Sequence, residues 1–262
     1  MRVNEDGLVC MLSKNLIHQK KAIFAYNIRI YKMELNQNIK IAVDAIVFGY
    51  TDSHLNVLLI KQKFGILKDQ WALVGGFVKD NEALLDAVNR ELFEEAGIKV
   101  TYLEQLYTFG DDTKRDPRFR VISVAYFALV NSTKLVVTAD SDAADAQWFP
   151  ISELPALAFD HNEIVRLAHK RLQSKLTYQP IGFDLLPKEF LFSDLEALYC
   201  TILEKEIDRR NFRKKIVSFG IIEETGKFGK KMKGRPAKVY RFNWLKYNKL
   251  LKEGFIFEIN FA

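Results

Sequence analysis

Short apolar stretches separated by turn residues run through the first two thirds of the chain. Residues 39–50 and 55–63 are rich in Val and Ile and flank Thr51-Asp52-Ser53-His54, which predicts two strands and a turn. Further strands are predicted at 71–77, 98–109, 120–130 and 146–149, with a charged loop at 111–119. Helices are predicted at 82–96, with Asn81 as its cap and Gly97 just past its end, and at 164–173. This order predicts a mixed sheet with at least two helices.

The last third has a different pattern. Residues 176–190 place Pro180, Gly182 and Pro187 among apolar residues, which favours a linker packed against a domain. Two helices (192–203 and 209–219), a Gly- and Lys-rich loop (225–236) and a strand (237–243) follow in the order of a winged helix-turn-helix. We therefore predict an N-terminal extension at 1–37, with Met33 as an alternative start, and domains at 38–175 and 191–262.

Composition narrows the function classes. The 262 residues are 48% hydrophobic and 27% charged, which excludes a disordered or fibrous protein. The longest nearly uncharged apolar run, residues 121–130, is far short of the ~20 residues that span a bilayer, and the first residues do not form a signal peptide. Cys10 and Cys200 are too few for a disulfide framework or a zinc site. We expect a cytoplasmic protein without membrane contact.

The charge is concentrated at one end. The net charge is +6, but residues 209–241 alone carry +10, so the rest of the chain sums to −4. Such a basic segment indicates a module that binds a polyanion, and double-stranded DNA suits the helix-turn-helix pattern. A solvated basic face without a partner is the alternative.

Three carboxylates share one face of the helix predicted at 82–96. Glu91, Glu94 and Glu95 stand at i, i+3 and i+4, on the same side as the apolar residues Leu84 and Val88. Because half-buried like charges repel, a divalent cation is expected, and hard oxygen ligands suit Mg²⁺ or Mn²⁺.

Two neighbouring features support the carboxylate cluster. Gly75-Gly76 allows the backbone to come close to a metal or phosphate. Arg90 is expected to face away from the three carboxylates and to pair with Glu82 or a backbone carbonyl.

The segment from Gly76 to Ile98 resembles the Nudix box, G-x5-E-x7-R-E-U-x-E-E-x-G-U with U aliphatic, at every fixed position. The resemblance implies an α/β/α sandwich that hydrolyses a nucleoside diphosphate linked to another moiety. It implies that Glu91, Glu94, Glu95 and the Gly76 carbonyl hold the metal, and that Arg90 and Glu82 belong to the same catalytic set. The general base varies within the family; the candidates are Asp111, Asp112 and Asp116, with Asp140, Asp142 and Asp145 as weaker ones.

The charged loop indicates a ligand. Its guanidinium groups suit a diphosphate, although a charged surface hairpin would have a similar composition. Arg-Asp-Pro-Arg at 115–118, followed by Val-Ile-Ser-Val-Ala-Tyr, resembles Nudix proteins that handle ADP-ribose, as does Phe159-Asp160-His161. The resemblance implies ligand contacts from Arg115, Asp116, Arg118 and Arg120, whereas the lone His161 is expected to be a structural hydrogen-bonding residue.

The second C-terminal helix has one apolar and one basic side. Phe212, Ile216 and Phe219 mark the apolar side. We predict DNA contacts from the helix and from the loop that follows it, with Arg213 placed for base edges: Arg209, Arg210, Asn211, Arg213, Lys214, Lys230, Lys231, Lys233 and Arg235. Residues 234–242 resemble the wing, and residues 180–187 the interdomain segment, of Nudix-related transcriptional regulators, the NrtR family.

Together these features predict an α+β chain, a Nudix domain followed by a winged helix. The expected function is regulation of transcription by ADP-ribose or a related nucleotide sugar, with retained Mg²⁺-dependent hydrolysis and a homodimer on DNA. Two alternatives stay open: an ADP-ribose pyrophosphatase without a regulatory role, and a sugar-responsive repressor without hydrolase activity.

Overall fold

The computed structural model describes four stretches of the chain: residues 18–25, 38–134, 143–229 and 236–262. Residues 40–262 form one compact unit, and residues 18–25 belong to a separate one. In the smaller unit, residues 18–25 are helical (α1), with all eight side chains exposed. The other residues of the predicted extension, including Met33, lie outside the described residues.

Two long strands form a hairpin at the centre of the sheet. β1 (Ile39–Thr51) and β2 (His54–Gln62) are antiparallel, and Thr51 pairs with His54. Asp52 and Ser53 between them have φ angles of 52° and 62°. Positive φ at both central positions gives a turn whose twist matches that of the flanking strands. The prediction of two strands and a turn is confirmed.

The sheet is assembled around β1, which pairs with β4 (Val74–Phe77) along its first half and with β2 along its second. Within the described residues the sheet has seven strands, ordered β3-β2-β1-β6-β5, with β4 on β1 and β7 on β2. The remaining bounds are Trp71–Ala72 for β3, Tyr102–Phe109 for β5, Arg120–Val130 for β6 and Ala143–Pro150 for β7.

Helices cover both faces of this sheet. On β1, Val43, Ala45 and Val47 pack with Val88 and Leu92 of α2 (Leu84–Ala96). The side chains that alternate with them, such as Ile46 and Phe48, pack in the second core with Ile164 and Ala168 of α3 (His161–Tyr178). Alternation along a strand sends neighbouring side chains to opposite faces, so β1 is buried on both. The predicted α/β/α sandwich is confirmed.

The start of α2 differs from the prediction. The helix begins at Leu84 rather than Glu82, its N-cap is Ala83, and Asn81 has a φ of 65° and does not cap it. The Glu82 carboxylate instead accepts hydrogen bonds from the Lys79 N–H and from Arg90, which fixes the preceding loop as a turn.

The end of α2 lies where it was predicted, but the next strand begins later. Gly97 has a φ of 68° and ends the helix, and the Ile98 N–H donates to the Leu92 carbonyl. Ile98 therefore belongs to the helix C-cap, and β5 begins only at Tyr102.

The segment after α3 is buried. Ile181, Phe183, Leu185 and Leu186 are each at most 6% exposed, and the Tyr199 hydroxyl donates to the Ile181 carbonyl. These side chains belong to the same hydrophobic core as α3 and the C-terminal helices. The packing of the C-terminal part is therefore continuous with that of the sheet.

The C-terminal part has the winged-helix architecture that the sequence predicted. Its elements are β8 (Glu189–Leu191), α4 (Phe192–Leu203), α5 (Arg209–Ser218), β9 (Ile222–Phe228), β10 (Lys238–Phe242) and α6 (Trp244–Glu253). The strands form an antiparallel sheet in the order β8-β10-β9. The predicted loop 225–236 is too long, because β9 pairs with β10 as far as Phe228. No helix in the described stretches is long and apolar enough to cross a membrane.

Candidate functional site

A cavity of about 280 Å³ lies where β1, β4, α2, the charged loop and the start of α3 meet. It gathers residues that are far apart in the sequence: Ala42, Asp44, Gln62, Leu73, Gly75, Gly76, Phe77, Glu91, Glu95, Arg115, Asp116, Arg118, Val121, Phe159 and His161. The two carboxylates from α2 and three of the four predicted ligand residues from the loop thus share one site.

The two glycines let β4 lie directly against the acidic face of α2. A Cβ on Gly76 would stand 2.2 Å from Oε1 of Glu91, so the Glu91 carboxylate would have to move to admit a side chain there. The Gly75 N–H donates to Oε2 of Glu95 at 2.9 Å. The sequence predicted that the backbone at these glycines comes close to a metal or a phosphate. In the structure it comes close to the carboxylates of Glu91 and Glu95.

Arg90 does not face away from the carboxylates, contrary to the expectation from sequence. Its guanidinium binds Glu82 through Nε and Nη2 (2.7 and 2.9 Å) and the Phe77 carbonyl, as expected, but its Nη1 also donates to Glu91 at 2.6 Å and Glu94 at 3.0 Å. The side chain is long enough to curl back over its own helix, where acidic oxygens attract it. These hydrogen bonds raise the pKa of Arg90.

The carboxylates of α2 differ in burial. Glu91 and Glu95 are 8% and 6% exposed, whereas the Glu94 side chain is 42% exposed. Burial raises the pKa of Glu91, and the Arg90 guanidinium acts in the opposite direction. In the described stretches no group of three ligating side chains converges on one point. In this arrangement Arg90 supplies positive charge between Glu91 and Glu94.

Arg115 of the charged loop is held by two carboxylates from outside the loop. It is 8% exposed and binds both oxygens of Asp160 at 2.8 and 2.6 Å, with Asp44 at 3.5 Å. Burial favours loss of its charge, but the Asp160 hydrogen bonds and Asp44 outweigh this effect and raise the pKa of Arg115. Its guanidinium fork is thus occupied by protein carboxylates and joins the loop to the start of α3.

Arg118 presents an accessible guanidinium to the cavity. It binds Asp116 through Nε and Nη2 at 3.0 and 2.8 Å and lies over the rings of Phe159 and Phe77, at 5.1 and 5.7 Å from their centroids. Burial raises the pKa of Asp116, but the stronger effect of Arg118 leaves it lowered. Arg120 does not line the cavity, because its Nη2 donates to the Gly110 carbonyl at 2.8 Å.

A buried polar pair closes the floor of the cavity. Nδ1 of His161 accepts the Leu73 N–H at 2.9 Å, and its Nε2 lies 3.5 Å from Asp44, which accepts a hydrogen bond from Ser123. Because Nδ1 accepts this N–H, it carries no proton, and burial lowers the pKa of His161. The structural role expected for His161 is confirmed. Asp44 was missed, although an acid in the apolar run Ile-Ala-Val-Asp-Ala-Ile-Val was a usable signal.

The structure separates the candidate bases by position. Asp116 lines the cavity, whereas Asp111 and Asp112 are exposed and lie outside its lining. Asp145 is bound to the Ala146 N–H and to Gln147. Asp140 and Asp142 lie outside the described residues.

The helix α5 has the two sides that the sequence predicted. Asp208 caps it by accepting from the N–H groups of Arg210 and Asn211, and Phe212 and Ile216 are buried. The predicted contact residues of the helix are all exposed: Arg209, Arg210, Asn211, Arg213 and Lys214. Those of the loop, Lys230, Lys231, Lys233 and Arg235, lie outside the described residues.

Cations on the strands beside this loop are paired with acids. Lys227 binds Glu189 at 2.8 Å, Lys238 binds Glu224 at 2.6 Å, and Arg241 binds Glu223 at 3.0 Å. Exposed pairs of this kind add little stability, but they neutralise charge on the strands. In the described part of the basic segment, α5 therefore carries the concentrated positive charge.

Comparison with known proteins agrees with this two-part architecture. The NUDIX domain profile matches residues 39–168, and the NrtR DNA-binding winged helix domain profile matches residues 182–242. The chain is 34% identical to an ADPR responsive transcriptional repressor NtrR from Acinetobacter baylyi, over 76% of this chain and 80% of that protein. The chain belongs to the NrtR family.

Two further proteins are similar to large parts of this NrtR-family chain. An ADP-ribose pyrophosphatase from Methanocaldococcus jannaschii is 37% identical over 57% of this chain and 83% of its own length. The crystal structure of Shewanella oneidensis NrtR complexed with a 27mer DNA superposes with a TM-score of 0.68 at 29% identity, covering 79% of this chain and 95% of that one.

The Glu82–Arg90 pair makes stability depend on pH in a defined window. Hydrogen bonds from Arg90 and from the Lys79 backbone lower the pKa of Glu82 from 4.5 to about 2. A lowered carboxyl pKa contributes stability above pH 4.5 that is lost as the pH falls toward 2. We expect Glu82→Gln to unfold at lower urea concentration than wild type at pH 7, with the difference shrinking below pH 4.5. A difference that stays constant down to pH 3 would contradict this assignment.

Proposed function

We propose that this NrtR-family chain is a transcriptional repressor that binds ADP-ribose in the cavity of its Nudix domain and duplex DNA through its winged helix. The observation that carries the proposal is the presence, in one compact unit, of a cavity suited to a diphosphate and a cationic, capped α5. A pyrophosphatase without a regulatory role would not need the second feature.

The cavity offers separate contacts for the parts of ADP-ribose. The guanidinium of Arg118 can bind a diphosphate as a fork, and its present partner Asp116 holds it at the cavity. The Phe77 and Phe159 rings lining the same cavity can stack on an adenine. These are nucleotide contacts, and they favour ADP-ribose over the sugar effectors left open by the sequence.

The winged helix supplies the DNA contacts. Arg209, Arg210 and Lys214 are exposed on α5, whose apolar side is buried against α4 and β10. Lysines and arginines on such a helix bind phosphates and base edges of a duplex. The family relationship and the DNA-bound NrtR from Shewanella oneidensis support this role. We also propose that the chain acts as a homodimer on a site with two-fold symmetry.

The elements between the two sites can couple them. Arg115 ties the ligand loop to Asp160 at the start of α3, and near the other end of α3 Gln173 donates to the Ile202 carbonyl of α4 at 2.9 Å. The buried segment around Ile181 binds Tyr199 of the same helix. A shift of the loop on ligand binding would therefore move groups that position α4 and α5.

Retained hydrolysis is the second function that we propose. Glu91, Glu94, Glu95 and the Gly76 carbonyl would hold Mg²⁺ or Mn²⁺; the set consists of hard oxygen donors, and two of the acids, Glu91 and Glu94, already bind a cation, Arg90. When bound, such an ion polarises a diphosphate and lowers the pKa of a water molecule. Arg90 and Glu82 would hold the loop after β4 in place, and Asp116, the loop candidate that lines the cavity, would act as the general base.

The regulatory proposal predicts that ADP-ribose releases DNA. With divalent metal withheld, so that the ligand is not consumed, ADP-ribose should weaken binding to a duplex enriched from a random library by ~5–150-fold. Arg118→Ala should abolish this response while DNA affinity stays unchanged. Fluorescence anisotropy of the labelled duplex measures both.

A control in the same loop makes this test specific. Lys114 is exposed and does not line the cavity, so Lys114→Ala should keep the full response. Tight ADP-ribose binding without any change in DNA affinity would refute the regulatory mechanism.

The hydrolase proposal predicts slow, metal-dependent release of AMP from ADP-ribose. Glu94→Gln and Glu95→Gln should each lose this activity, because each removes a ligand charge, whereas Asp86→Asn on the exposed side of α2 should retain it. Product formation is followed by chromatography with Mg²⁺ and with Mn²⁺. Wild-type turnover no faster than that of the double variant would remove the enzymatic role and leave the regulatory one intact.

A further inference from the structure

Arg213 on α5 is held by the rest of the winged helix, although its side chain is exposed. Its Nη2 donates to the Tyr240 hydroxyl at 3.1 Å, and its guanidinium lies 4.8 Å from the centroid of the Phe192 ring. Tyr240 and Phe192 are 5% and 3% exposed and contact each other edge to face. Arg213 therefore joins α5 to β10 on one side and to the start of α4 on the other.

The opposite flank of α5 is held by the C-terminal segment. The Asp208 N–H donates to the Asn260 carbonyl at 2.9 Å, and Nζ of Lys215 donates to the Glu258 carbonyl at 2.8 Å. Phe257 is buried and packs against Phe219 at the end of the helix. The C-terminal segment thus contacts this flank at Asp208 and Lys215, and a cavity of about 280 Å³ remains between it and α5.

One face of the helix is left between these two flanks. At 100° per residue, Arg210, Lys214 and Val217 lie opposite the buried side formed by Phe212 and Ile216. Arg210, Lys214 and Val217 are all exposed. This is the face that can enter a groove without breaking a contact within the protein.

We infer that Arg213 is a positioning residue, which sets the orientation of α5 relative to the wing, and that Arg210 and Lys214 make the DNA contacts of this helix. The inference rests on the proposed DNA-binding function. The sequence pattern alone predicted that Arg213 contacts base edges. The pattern could not show that Tyr240, 27 residues away, binds the Arg213 guanidinium. When the orientation of α5 relative to the wing is fixed in this way, the helix and the wing can contact the same DNA duplex at the same time.

Removing the two ends of the Arg213–Tyr240 hydrogen bond separately tests this inference. Arg213→Met, Tyr240→Phe and the double variant are compared with wild type on the enriched duplex and on a scrambled duplex, each over a series of salt concentrations. A positioning role predicts that both single variants weaken binding to the enriched duplex about threefold to tenfold, that the losses are not additive, and that the salt slope is unchanged.

The same substitution at the two residues proposed to contact DNA should give a different result. Arg210→Met and Lys214→Met should each reduce the salt slope by about one, because each contact to a phosphate releases counterions. Tyr240→Phe removes only a buried hydroxyl, so it decides the question even if Arg213→Met fails to fold in a thermal unfolding control.

Three results would overturn the inference. If Tyr240→Phe binds DNA like wild type while Arg213→Met lowers the salt slope by about one, Arg213 contacts DNA directly. If Arg210→Met and Lys214→Met leave both the DNA affinity and the salt slope unchanged, the exposed face of α5 does not contact DNA. If the wild-type chain enriches and binds no duplex at all, the proposed DNA-binding function itself fails, and the inference with it.

Discussion

Two acidic side chains, Glu91 and Glu95, are buried against the backbone of β4, and the organisation of the site depends on how their charge is compensated. A buried carboxylate is costly unless a cation or hydrogen-bond donors stabilise it. Here the Gly75 N–H donates a hydrogen bond to Glu95, and the Arg90 guanidinium donates one to Glu91. The close approach of β4 to α2 leaves no room for a Cβ at Gly76 unless Glu91 moves. The burial of Glu91 likewise accounts for its hydrogen bond from the Arg90 guanidinium.

The second organising feature is the hydrophobic core on the α3 face of the sheet, which continues into the winged helix. Leu172 and Leu176 of α3 belong to the same cluster as Leu198 and Ile202 of α4 and Ile216 of α5. Packed cores resist continuous deformation and move as units. A ligand that repositions the loop held by Arg115 would thus act on elements that are already packed against α5. The proposed coupling between the two activities therefore rests on packing that the structure already contains.

Local pattern predicted most of the fold and the composition of the site, but not the pairing of its side chains. β6 occupies the predicted residues 120–130, and the box placed the carboxylates on one face of α2. The predictions were wrong where the local structure depends on a residue or strand elsewhere in the sequence. Glu82 binds Arg90, which displaced the predicted Asn81 cap, and the pairing of β9 with β10 shortened the loop. Arg90 turned toward Glu91 because of attraction that spacing alone does not describe.

Reciprocal linkage provides the most direct test that effector and DNA act on one coupled unit. Isothermal titration of ADP-ribose into the chain without divalent metal, alone and saturated with the enriched duplex, measures the effector Kd in both states. Linkage requires DNA to weaken ADP-ribose binding by the same factor by which ADP-ribose weakens DNA binding. Our account predicts a Kd that is ~5–150-fold higher with DNA bound. An identical Kd in the presence and absence of DNA would contradict it.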